Sequence, residues 1–213
     1  MSLDVTKGLK STVIMSPNQR LYVALYARGG KATMPSGEDK YILISLPCRY
    51  HWSFIQDPKV EDEKSQGTRY HAMEKMGFID GQAQSVWQFD ETDIGMAPTA
   101  MILVRVLIGK VKKKDRLETV MRNIPIRAQT PGWNCVSWVK EAIQTLQQHQ
   151  GSGRGILGSS ACQLDWETVR QSALWYVEQK RAAHRFDGQA APGTFDKKKV
   201  PTWDLLKNAE RTP

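Results

Sequence analysis

Between residues 20 and 108 the apolar residues come in short β-branched and aromatic runs, and from Lys110 onward they recur at helical spacing. That change of period constrains the fold more than any other feature. A chain of strands followed by helices builds an antiparallel sheet with helices packed on it, an α+β fold. Residues 20–28 (RLYVALYAR) end in Gly29-Gly30 and read as the first strand. Strand-like runs follow at 41–46 and 50–56, separated by Pro47-Cys48 and closed by Asp57-Pro58. A short strand is expected at 67–73, and further strands at 85–89 and 99–108.

The helical half opens at KKKDRLETVMRNI, where Leu117, Val120, Met121 and Ile124 share a face. A loop with Pro125, Pro131 and Gly132 leads to Trp133-Asn134-Cys135, which begins a second helix with Val139, Ala142, Ile143 and Leu146 as its apolar stripe. The Gly/Ser-rich stretch 151–161 reads as a flexible loop. Asp165 starts a third helix that runs to about residue 186, with Val169, Ala173, Tyr176 and Val177 inward. With 213 residues, 40% of them hydrophobic, one domain over 1–188 is expected. Its core spans about 20–148 and its helical extension about 163–186. Residues 189–213 form a tail in which VPTWDLL is the segment able to dock.

Several function classes drop out. The N-terminal MSLDVTKGLK lacks the apolar core of a signal peptide, and the longest apolar run, 101–108, is interrupted by Arg105 and too short to span a bilayer. The reading is a soluble, cytoplasmic protein without a membrane partner. Cys48, Cys135 and Cys162 form no CxxC pair, so no metal, disulfide framework or cofactor is expected. A net charge of +8 and a pI near 9.4 favour an anionic partner such as RNA.

Asn134 is a good helix N-cap, and it places Cys135 in a first turn whose free N–H groups and dipole favour negative charge on sulfur. An inert buried thiol is the competing reading. The sharp Pro131-Gly132 turn and the helix-start position weigh against it, and neither Cys48 nor Cys162 has such help. Of the four histidines, His149 and His184 lie near helix C-termini, where imidazole complements the dipole. Positions 135, 139, 142 and 146 share one helix face, so the sulfur is expected to point toward the sheet, where a histidine on a facing strand can reach it. His51 and His71 fall on strands of one sheet, with one as base and the other orienting it, or with His71 as an exposed strand residue.

The motifs His51-Trp52-Ser53-Phe54-Ile55, Arg69-Tyr70-His71-Ala72 and Asn134-Cys135-Val136-Ser137-Trp138-Val139 resemble those of the permuted NlpC/P60 group that includes lecithin:retinol acyltransferase-like enzymes. The resemblance covers about residues 50–146. It implies a permuted papain-like fold with the histidine strand before the cysteine helix, Cys135 as nucleophile, His51 as base and His71 as the orienting group. A longer loop between the histidine strands and the lack of an anchoring apolar segment depart from the acyltransferases, and the second argues against a lipid substrate. Over nearly its whole length the chain is also similar to a group of fungal proteins, through LYVALYARGG, GTRYHAM, PTAMILVRVLIGKV, WNCVSWVKEAI and VPTWDLL. Through that group it resembles the fungal arginine-containing cyclodipeptide synthases, which join arginine from charged tRNA to a second amino acid.

The resemblance implies an aminoacyl-tRNA partner rather than DNA, and a covalent aminoacyl-enzyme on Cys135. Trp52, Asn134 and the basic residues Lys110, Lys112, Lys113, Lys114 and Arg116 are the candidate contacts to substrate or tRNA; a solvated helix face is the competing reading of the basic run. An arginine substrate calls for carboxylates, for which Asp90, Glu91 and Asp93 are candidates or simply a surface loop. The same dyad also suits a thiol hydrolase, and a binding module that keeps a degenerate papain-like fold stands as the non-enzymatic alternative. The oligomeric state is open.

Overall fold

The computed structural model describes residues 19–28, 50–58, 64–99, 101–152 and 155–213. The expected strand at 41–46, Cys48 and Gly29-Gly30 lie outside these residues. The described elements are β1 (Gln19–Ala27), β2 (Tyr50–Asp57), β3 (Gln66–Ile79), β4 (Gln82–Gly95), β5 (Ile102–Val111), α1 (Lys114–Asn123), α2 (Cys135–Gly151), β6 (Leu157–Cys162), α3 (Trp166–Ala182), β7 (Thr202–Asp204) and β8 (Ala209–Thr212). One sheet runs β4-β3-β2-β1-β5-β7-β8, with β6 also on β5. All its pairings are antiparallel except β5 with β7. The α+β class expected from the change of period is present. No helix among the described residues is long and apolar enough to cross a membrane.

Strand alternation gives the sheet two unlike faces. Leu21, Val23, Leu25, Tyr50, Trp52, Phe54, Val104 and Val106 join the main core, against Cys135, Trp138, Val139, Ala142 and Leu146 of α2 and Val169, Ala173 and Val177 of α3. Phe54 meets the Trp138 ring edge-on at 5.9 Å. The second face carries a smaller cluster of Tyr22, Ala24, Tyr26, Ile55, Met96 and Leu107. Arg105, an interruption in the apolar run of the sequence, is buried there. Its Nη1 donates to Asp57 Oδ2 at 3.0 Å, its Nε donates to Thr202 Oγ1 at 2.8 Å, and its guanidinium lies over the Tyr22 ring at 4.7 Å.

Four expectations are corrected. The strands expected at 67–73 and 85–89 are halves of a hairpin of two 14-residue strands, turned at Asp80 (φ 52) and Gly81 (φ 76). That positive-φ pair is what a two-residue hairpin turn needs. The hairpin leaves Met76 and Phe78 exposed. The Gly/Ser-rich stretch is not all loop, because β6 pairs with β5; a Cβ on Gly109 would lie 2.8 Å from Leu157 Cδ1, so glycine permits that approach. The third helix stops at Ala182, short of 186. Residues 202–212 are strands of the sheet rather than a tail outside the domain, and Glu210 accepts from Tyr176 at 2.6 Å and pairs with Lys180 at 2.7 Å.

Arg105 thus ties β7 to β5 while facing a fully buried carboxylate. Arg105→Ala should cost about 3–5 kcal/mol of stability, because Asp57 loses the guanidinium it is buried against. Urea denaturation measures this, and a chain ended at Val200 should be destabilised in the same direction because the edge of β5 loses β7.

Candidate active site

The turn into α2 is built from Gly132, whose φ of 77° suits a residue without Cβ, and from Asn134 as N-cap. Asn134 Oδ1 accepts from the N–H of Val136 at 2.9 Å and of Ser137 at 3.4 Å. Cys135 is therefore the first helical residue, and it is fully buried on the stripe that carries Val139, Ala142 and Leu146. Arg28, one residue past β1, places Nη2 3.8 Å from Cys135 Sγ. A helix N-terminus and a guanidinium both favour negative charge on that sulfur.

The register of β1 on β2 pairs Tyr26 with His51. Because Tyr50, Trp52 and Phe54 enter the core, His51 turns to the other face, where its ring lies 6.2 Å from that of Tyr26. Tyr70 and Ala72 of β3 also enter the core, so His71 follows His51. The expectation that a histidine would face α2 across the sheet is corrected by this alternation. His51 sits at the rim, where β2 begins and β1 ends. Arg28 links the two halves of the site there, since it reaches Cys135 and its charge also bears on His51.

Beyond His51 runs a chain of three groups. His51 Nε2 lies 2.5 Å from His71 Nδ1, and His71 Nε2 lies 3.2 Å from Asp90 Oδ2. Asp90 also accepts from Lys75 Nζ at 2.8 Å and Thr92 Oγ1 at 2.5 Å. Although burial raises its pKa, these donors hold the Asp90 carboxyl well below the usual range. An ionised Asp90 requires His71 to carry its proton on Nε2, which leaves Nδ1 as an acceptor. His51 must then donate from Nε2, so its Nδ1 keeps the lone pair. A carboxylate two residues removed thereby sets the tautomer a base needs. Burial, then the neighbouring His71, Arg28 and Arg69 charges, push His51 down to about 3; burial, then Arg69, push His71 down to about 4 against the pull of Asp90. Both rings are neutral at pH 7.

The other candidates lie elsewhere. Trp52 is a core residue, fully buried with its ring 5.8 Å from that of Trp166. Lys110, Lys112 and Lys113 are exposed and Lys114 and Arg116 half-buried, with Lys114 3.4 Å from Glu118. Lys110 pairs with Arg20, six residues along β1 from Tyr26, so the basic run starts about 20 Å from His51. Asp90, Glu91 and Asp93 are on β4, not in a loop: Glu91 receives the Arg122 fork at 2.6 Å on both oxygens, and Asp93 accepts from Thr68 at 3.2 Å. They form no shared receptor for a guanidinium. His149 is in the last turn of α2, His184 pairs with Asp187 at 2.8 Å, and burial raises the Cys162 pKa.

Arg28 escaped the sequence reading, and Asp90 entered it as a candidate for binding arginine rather than as the partner of His71. The Asp-Gly turn pairs Ile79 with Gln82 and, counting back, His71 with Asp90, so Asp90 could have been found from the turn. Arg28 carries no local signal. Among the described residues no group of three or more His, Cys, Asp or Glu has the arrangement of a metal site. A family model described as a family of unknown function, DUF6914, matches residues 18–212. No curated protein and no solved structure matches the chain.

The depressed imidazoles carry a pH signature. Below about pH 6.5 the unfolded chain takes up protons that folded His51 and His71 refuse. Stability should therefore fall as pH drops from 6.5 towards 4, and the slope should flatten in a His51→Gln, His71→Gln double variant. Thermal melts across pH, with NMR titration of both rings, measure it.

Proposed function

The chain belongs to the DUF6914 family, and we propose that it is a cysteine-dependent acyltransferase with Cys135 as nucleophile, His51 as base, His71 as its orienting partner and Asp90 as the anchor of the pair. One observation carries this reading: the His51–His71–Asp90 chain ends at the rim where Arg28 holds the Cys135 sulfur. An inert core thiol has no use for a guanidinium at its sulfur or for a carboxylate-set tautomer nearby. The permuted papain-like arrangement belongs to the same proposal, supported by β2 with His51 preceding α2 with Cys135.

The reaction we favour is transfer from aminoacyl-tRNA to give an arginine-containing cyclic dipeptide. The Cys135 sulfur attacks the ester carbonyl, and its proton passes around the rim of the sheet, where Arg28 borders both groups, to Nδ1 of His51 on the other face. The 3′-hydroxyl of the tRNA leaves with that proton, and a thioester remains. The amine of a second aminoacyl group attacks the thioester, an amide bond forms and the thiol is restored. The free amine of the resulting dipeptidyl ester then attacks its own ester and releases the second tRNA with the ring closed. The basic surface supports an RNA partner, and charged tRNA accords with a cytoplasmic location. Hydrolysis is the second reading, favoured by the engagement of Asp90, Glu91 and Asp93, which leaves none of them for a substrate guanidinium.

Cys135→Ala should abolish turnover and the covalent adduct seen by mass spectrometry after incubation with charged tRNA. Cys48→Ala and Cys162→Ala should stay active. Asp90→Asn, which permits the wrong tautomer, should slow turnover by about 10²–10⁴-fold. An arginine-containing diketopiperazine made from arginine, ATP, amino acids, tRNA and a synthetase extract should vanish with RNase. A product that survives RNase would exclude tRNA as donor, and an active Cys135→Ala enzyme would end the thiolate mechanism.

A further inference from the structure

The second face of the sheet holds a cavity of about 180 Å³ lined by Tyr26, Ile55, Arg69, Ile94, Met96 and Ile102, with Arg105 and Val200 also on its wall. Among the described residues no acidic side chain lines it. Its two guanidiniums differ in state. Arg105 is committed to Asp57, Thr202 and the Tyr22 ring. Arg69 meets no carboxylate among the described residues; its guanidinium bonds to the Tyr26 hydroxyl and lies 5.7 Å from the Tyr26 ring, and its Nε is buried without a hydrogen-bond partner. A partly buried guanidinium that meets no carboxylate among the described residues, on a wall otherwise rich in apolar groups, is a ready seat for an anion.

We propose that this cavity is a binding site for a small carboxylate with an apolar body, its carboxylate on Arg69 and its body against Ile55, Ile94, Met96 and Ile102. The volume holds about six water-sized groups, which suits a branched aliphatic acid of that size. The site adjoins the histidines: the Tyr26 ring is 6.2 Å from that of His51, and the charge of Arg69 reaches both His51 and His71. A ligand seated here stands beside the base. Cationic ligands are repelled by Arg69, so the cavity does not take an arginine side chain. The site stands apart from the acyl-transfer reading, because occupancy is measured directly and needs no turnover.

Isothermal titration and NMR of the full chain with isocaproate, isocaproamide and isohexylamine test it. Isocaproate should bind and shift the ring signals of His51 and His71. The amide should bind about tenfold more weakly or worse, since a hydrogen bond to a charged partner is lost, and the amine should not bind. Arg69→Met should bring the acid to the level of the amide, whereas Arg69→Lys retains part of the preference. Ile94→Ala removes an apolar group from the cavity wall and should weaken acid and amide alike. Thermal melts confirm that each variant is folded, and the Ile94 variant decides the matter if the Arg69 variants are not. Equal binding of acid and amide, acid binding indifferent to both Arg69→Met and Ile94→Ala, or no isocaproate binding by folded wild type at millimolar concentration overturns the proposal. Turnover lost with binding intact would instead count against the acyl-transfer reading alone.

Discussion

Alternation along β2 is the constraint on which the rest of the molecule depends. Tyr50, Trp52 and Phe54 are large and fully buried, and they reach the core under α2 only if they share a face. A slip of one residue would turn all three to the opposite side, each losing roughly 1.5–3 kcal/mol or more of burial energy. His51 has no freedom in the matter. It is placed on the second face by its neighbours, beside Tyr26 and in reach of His71. Ser53 and Ile55 follow it, and Ile55 helps line the cavity that carries Arg69. Core packing on one face thus positions chemistry on the other.

The charges of the site form a balance of unlike parts. Arg28 and Arg69 press on His51 from its surroundings, burial presses harder, and Asp90 answers through His71. At rest the imidazoles are neutral, so His51 is a weak proton acceptor. In the proposed acyl transfer, a negative Cys135 sulfur beside Arg28 would offset part of the positive field on His51 and make protonation of Nδ1 easier, so that the two steps would be coupled through one guanidinium. An anion on Arg69 would act in the same sense from the other side.

The second face is completed from far along the chain. Thr202 of β7 accepts from Arg105, which meets Asp57 of β2. Val200 precedes β7 and lines the cavity. The C-terminal residues therefore serve as part of the wall rather than as a detachable end. This explains why the buried Arg105–Asp57 pair is tolerated: Arg105, on β5, is hydrogen-bonded to β2 and β7 on either side, the condition under which a buried charge can persist.

What could be read in the sequence was local. The period switch near residue 110 marked off the first five strands from the helices, because strand and helix present apolar side chains at different intervals, though it did not show that β6, β7 and β8 return to the sheet. Asn134 marked the start of α2, since a capping side chain bonds N–H groups only two and three residues away. The Asp80-Gly81 turn likewise carried the register of β3 and β4, and with it the meeting of His71 and Asp90. Tertiary structure decided what joins residues far apart in the chain. It set Arg28 against Cys135 across 107 positions, brought β6 and β7 to β5, sent the basic run to the opposite end of β1 from His51, and put Arg69 on the wall of a cavity that no acid lines among the described residues. No short-range pattern encodes these, because each is selected by the packing of whole elements: strand pairing chooses the neighbour, burial chooses the face, and only then does a side chain acquire its partner.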